Sequence, residues 1–133
     1  MSETASPTDL LASARAFCKK PGTITAGVWP RASALLARQA VELAMDSYWH
    51  AIRCPALTAC PMRSQLICLA EVAGRSFAGD VAAAWASLSS ACHIHPYELA
   101  PTAAELLGWI DAAERFCVAS WPAAGQYTAA AGQ

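Results

Sequence analysis

Helical signals run through almost the whole chain, and almost nothing alternates apolar with polar residues at a period of two. This excludes a sheet-based fold before composition is considered. Ser6-Pro7-Thr8-Asp9 precedes Leu10-Leu11, with Ser6 as a cap, Pro7 at the first helical position and Asp9 closing a capping box. Apolar residues continue through Phe17 and Cys18. Lys19 and Lys20 suit the negative end of the helix dipole, and Pro21-Gly22 stops the run. Residues 21–29 read as a linker. Pro30 opens the longest helix, about 30–53, whose broad apolar stripe (Leu35, Leu36, Val41, Leu43, Tyr48, Trp49, Ile52) suits a central element with several neighbours.

Cys54-Pro55 to Cys60-Pro61 reads as a loop. A third helix, about 61–73, carries Met62, Leu66, Ile67, Leu69 and Val72 and ends at Gly74. Arg75–Gly79 reads as a turn, with Asp80 capping a fourth helix to about Cys92 that sets Val81, Trp85 and Leu88 on one face. Pro96 and Pro101 keep residues 93–101 from being regular helix. Thr102-Ala103-Ala104-Glu105 is a second capping box. It opens a fifth helix to about Ser120, with Leu106, Leu107, Ile110, Ala113 and Cys117 inward. The expectation is all-α: a single-domain bundle of about five helices over 8–120, a flexible start at 1–7 and an Ala/Gly-rich tail at 121–133. Helix 2 with helix 3, and helix 4 with helix 5, are the expected antiparallel pairs.

A chain of 133 residues holds one core, not two. Charged residues are 14%, against a usual share of about 25%, while 56% are apolar, which argues against disorder. Alanine buries little area, so the core is expected to rest on five Trp, three Phe, three Tyr and the larger aliphatics. The sparse charge reads either as an alanine bias or as a surface covered by a partner. A net charge of −1 gives no electrostatic ground for nonspecific nucleic-acid binding. Seven of the nine cations are nevertheless arginine, the residue suited to carboxylate and phosphate. The acidic start has no apolar signal core, and no run reaches the roughly 20 apolar residues of a membrane span, so a cytoplasmic chain without membrane contact is expected. The six cysteines form no Cys-x-x-Cys pair, which disfavours zinc knuckles. Cys18, Cys68 and Cys117 read as small core residues. Cys54 and Cys60 flank one loop and either pair or stay reduced.

Chemistry is concentrated in Ala91-Cys92-His93-Ile94-His95-Pro96-Tyr97-Glu98-Leu99. His93 and His95 can share a metal if the backbone between them is extended, with Cys92 or Glu98 as a further ligand. Otherwise His93 sits at a helix end and His95 anchors the loop. On the long helix Arg38, Glu42, Asp46 and His50 follow at four-residue steps along one face. That stripe is either a ligand-binding, metal or proton-transfer site inside the bundle or a solvated face. No cofactor is required by these patterns, and a metal is the weaker reading, because no Glu-x-x-His exists to build a carboxylate bundle site. His93, His95 and Tyr97 are the candidate catalytic groups. Trp29 and Trp121, each beside a proline, are the candidate surface or dimer contacts.

Arg38-Gln39-Ala40-Val41-Glu42-Leu43-Ala44 resembles the Ala/Glu-rich central helix of HEPN domains. The helix from Trp85 to His95, followed by His95-Pro96-Tyr97-Glu98-Leu99 and a Thr-capped last helix, is similar to small bacterial HEPN-like proteins. The resemblance covers roughly residues 8–118. It implies an all-α bundle, commonly dimeric, in a family that includes ribonucleases and noncatalytic RNA- or nucleotide-binding modules. Active members place an Arg four to six residues before a His, to polarise phosphate and move protons. No arginine stands in that position before His50, His93 or His95. The resemblance therefore implies a noncatalytic module that binds a second copy, a partner protein, RNA or a nucleotide. The alternatives are an RNA-processing enzyme with a noncanonical site of His93, His95, Tyr97 and an arginine brought in by folding, and a metal-binding bundle.

Overall fold

Ser6 and Asp9 lock the start of the first helix, α1 (Pro7–Lys19), in the computed structural model of the chain. Ser6 Oγ accepts the Asp9 N–H at 3.2 Å, and Asp9 Oδ2 accepts the Ser6 N–H at 3.2 Å and its hydroxyl at 2.7 Å. The structure describes residues 5–19, 27–93 and 97–131, so the stop at Pro21-Gly22 lies outside the described residues. The order continues with α2 (Trp29–Ala51), a 3-10 turn (Pro55–Ala59), α3 (Met62–Ala73), α4 (Arg75–Cys92) and α5 (Ala103–Ala131). Five α-helices and no strand occur among the described residues, so the fold is an all-α bundle. None of these helices is long and apolar enough to cross a membrane.

Small residues decide which helices meet. Ser33, Ala34, Ala37, Ala40 and Ala44 line the buried face of α2, and the first four are fully buried. A methyl-sized side chain lets a neighbouring backbone come close, and α2 packs on α1, α4 and α5 at once. Ser33 Oγ donates to the Ala14 carbonyl at 2.9 Å, which leaves the Cys18 thiol to donate to Ser33 Oγ at 3.3 Å and fixes the end of α1 on the start of α2. Bulk comes from Val41, Met45, Trp49, Leu69, Leu88, Leu106, Ile110 and Phe116, all essentially inaccessible. Burying side chains of this size contributes about 1.5–3 kcal/mol each. The buried seam of α2 is thus largely alanine, whereas Leu35 is exposed and Leu36 and Ile52 only pack on the core's margin.

Contacts fix the polarity of the bundle. Arg15 pairs with Asp111 and Glu114, while Ser6 and Pro7 line one groove with Cys117 and Val118, so α1 runs antiparallel to α5. Phe77 meets Phe116 at 5.8 Å between ring centres, while Ser87 and Ala91 face Glu105 and Trp109, so α4 also runs antiparallel to α5. The expected pairing of helix 2 with helix 3 is not formed. α3 packs chiefly on α4, and a buried bond ties it to α2, Trp49 Nε1 donating to Gln65 Oε1 at 2.9 Å. Gln65 Nε2 donates onward to the Cys60 carbonyl at 2.7 Å.

Two boundaries differ from the sequence reading. Arg75–Gly79 is helix rather than turn, and Asp80 lies inside α4. Gly74, at φ +98°, makes the reversal in one residue, and its carbonyl accepts the Ala78 N–H at 3.1 Å, so α4 begins at once. At the other end, the α5 backbone stays helical to Ala131, past the expected stop near Ser120 and through the segment read as a tail from 121. Alanine, the strongest helix former, dominates that stretch. Thr102 does cap α5, its Oγ1 accepting the Glu105 N–H at 3.1 Å. Trp29 is partly buried against the core rather than a bare surface contact. The side chain of Trp121 lies outside the described residues. Cys54 and Cys60 are both free thiols.

Candidate functional site

The Arg38–His50 stripe is divided by the packing of α4 over its first half. Arg38 Nε donates to Glu42 Oε1 at 3.1 Å, and the Arg38 guanidinium lies 5.9 Å from the ring centre of Trp85 on α4. Cys92, two turns further along α4, also meets Arg38. Burial pushes the Cys92 thiol above its ordinary range, and Arg38 and Arg31 pull against that shift. Arg38 thus joins an acid on its own helix to an aromatic face and a thiol on the next. Asp46 and His50 do not join this cluster. The exposed His50 ring bonds the Asp46 carbonyl through Nδ1 at 2.8 Å, a contact within its own helix, and eight residues of helix put it about 12 Å along the axis from Glu42.

Two polar atoms of α4 have no hydrogen-bond partner although both are buried: Trp85 Nε1 and Ser89 Oγ. They lie one turn apart, in line with Cys92. The sequence reading placed Trp85 in the core and did not mark Ser89. The signal for it was the run Trp85, Ser89, Cys92 at helical spacing.

His93 and residues 97–100, between α4 and α5, are exposed. His93 ends α4, its N–H donating to the Ser90 carbonyl at 3.0 Å, and is exposed. His95 lies outside the described residues. Tyr97 and Leu99 are 99% and 98% exposed, and Glu98 is exposed beside them. Leu99 and Glu98 form one wall of an open groove of about 380 Å³, completed by Ser87, Ser90, Glu105 and Trp109. Two carboxylates and two hydroxyls make this groove acceptor-rich, with the Trp109 indole beside them. Among the described residues no three His, Cys, Asp or Glu side chains converge as a metal site. The described members of the proposed ligand set (Cys92, His93, Glu98, Glu42, Asp46, His50) are therefore not brought together: Cys92 turns inward to Arg38, and His93 and Glu98 turn outward.

No family model, curated protein or solved structure matches the chain.

Proposed function

We propose that this protein is a noncatalytic, HEPN-like helical interaction module that works as a dimer and binds a partner protein at the α4–α5 connector. The observation that carries the reading is the near-complete exposure of Leu99 on the wall of an acidic groove that Trp109 also lines, with Tyr97 equally exposed two residues before it. Large apolar side chains left wholly in water gain when a partner covers them, and tyrosine is over-represented among residues that dominate binding. Glu98 and Glu105 favour a cation and oppose phosphate, and the face of Trp109 suits a guanidinium. A basic, partly apolar peptide segment fits this chemistry better than RNA or a nucleotide does.

The test is titration of an Arg/Leu-rich peptide, followed by amide chemical shifts. Shifts concentrated at residues 97–109, and lost in the Glu98→Gln/Glu105→Gln variant, support the reading. Equal binding by that variant, or tighter binding of an anionic nucleotide to the same residues, overturns it.

One observation favours a second reading, an RNA-processing site: folding does bring an arginine, Arg38, to Cys92, the neighbour of His93. That guanidinium is already paired with Glu42 and laid on Trp85, which leaves it less charge to offer a phosphate. Incubation with total RNA decides. Cleavage by the wild type that His95→Ala and Arg38→Met both abolish supports the enzyme, and identical products from all three remove it.

A further inference from the structure

We propose that the outer face of α3 is the surface through which two copies of this chain associate, with α3 packed antiparallel on α3 of the second copy about a two-fold axis. This deepens the dimeric part of the reading above and rests on that part alone; it does not need the connector groove.

The argument starts from spacing. Arg63, Ile67 and Glu71 follow at four-residue steps, so they form one stripe along α3, with the two charges about 12 Å apart. Ile67 is 64% exposed at the middle of the stripe. Neither Arg63 nor Glu71 makes an ion pair among the described residues, whereas Arg38 pairs with Glu42 and Arg15 with Asp111 and Glu114. The stripe borders a shallow groove of about 560 Å³ between α3 and α4, whose other lining residues are Leu66, Ala70, Ala78 and Gly79, with Arg75 at the start of α4 beyond Glu71. Its small residues leave room for a second helix to approach.

A stripe that reads cation, apolar, anion is self-complementary when one copy is turned by a half-rotation. Arg63 then faces Glu71 of the second copy, Glu71 faces the second Arg63, and the two Ile67 side chains meet on the axis. That is the requirement for a closed two-fold interface, in which residue i meets j and j meets i. A parallel arrangement would set like charges together. The basic peptide suggested for the connector does not satisfy this face, since it would leave Arg63 opposed. One face of a 12-residue helix is about 18 Å long and buries well under the ~800 Å² per partner of a standard interface, so the dimer is weak and concentration-dependent.

Sedimentation equilibrium up to about 1 mM protein tests this by charge reversal. The wild type is expected to associate reversibly. Arg63→Glu alone and Glu71→Arg alone each turn two attractive cross-pairs into repulsive ones, and each should weaken association about tenfold or more. An equimolar mixture of those two variants should form a heterodimer at least as tight as the wild-type dimer, since every cross-pair is then attractive. Ile67→Lys should leave a monomer with an unchanged melting temperature, because its side chain lies outside the core. A wild type that stays monomeric overturns the proposal, as does a dimer indifferent to these changes or a mixture that fails to recover. Tyr97→Ser/Leu99→Ser should leave self-association untouched, so failure of the connector reading shows separately.

Discussion

Replacing Gln65 by alanine removes a buried polar link between α2 and α3. The Trp49 indole is fully buried, and Gln65 Oε1 is its acceptor at 2.9 Å. Without that acceptor the indole N–H keeps its desolvation cost, about 1–3 kcal/mol. The lost side chain also leaves a gap beside Trp49, which adds roughly 1–2 kcal/mol if the surroundings close only in part. The Cys60 carbonyl, by contrast, belongs to a half-exposed residue and can turn to water at small cost. The sum is about 3 kcal/mol. At roughly 2.1 cal/mol/K of unfolding entropy per residue, a chain of 133 residues should then melt about 10 °C lower. Gln65→Leu fills most of the gap but still strands the indole, and should cost about 1–3 kcal/mol by itself. Urea unfolding followed by circular dichroism measures both. If Gln65→Ala changed stability by less than about 0.5 kcal/mol, the ordinary range for exposed positions, the bond would not be what holds this corner.

Three further outcomes follow from local geometry. Gly108 lies inside α5 with no atom within 4 Å of an added Cβ, so Gly108→Ala should raise stability by about 0.5–1 kcal/mol, read as a higher melting temperature; a lower one would contradict the open space seen there. Ser6 holds the Asp9 carboxyl below its ordinary range, chiefly through its hydroxyl. A carboxyl lowered on folding adds stability above its unfolded pKa, about 3.9, and loses it as pH falls through the lower folded value, so acid should loosen α1 in the wild type, and Ser6→Ala should show less of this pH dependence in helicity titrations. Burial pushes the Cys117 thiol up to about 11, whereas Cys54 is exposed; iodoacetamide at mildly alkaline pH should label Cys54 long before Cys117 by peptide mass spectrometry, and equal rates would contradict the burial.

The helix starts at Ser6-Pro7 and Thr102 were legible because capping is a local affair: the residues that satisfy the free N–H groups are neighbours in sequence. Gly74 was legible as an ending, but not as a complete reversal, because its positive φ depends on where α4 must go. Partner choice was half legible: the antiparallel α4–α5 pair forms as expected, the α2–α3 pair does not. Alanines score as weak apolar residues in any periodic reading, yet here they mark the closest approach, and they drew α2 to α1, α4 and α5 rather than to its sequence neighbour α3. The candidate site was half legible for the same reason. Arg38 and Glu42 share a helix, and their spacing announces them. Trp85 and Cys92 reach Arg38 only through packing, and nothing in the local pattern foretells it.

The alanine seam of α2 also sets where the protein can change. An alanine side chain has no torsion to rotate, so a bulkier substituent at the fully buried Ala37 or Ala40 finds no slack to take up and must push the packing around α2 outward. In a saturation survey those plain methyl groups should rank among the least replaceable positions, ahead of most of the chain's tryptophans. The innermost helix behaves like a keel, whose thinness keeps the hull closed.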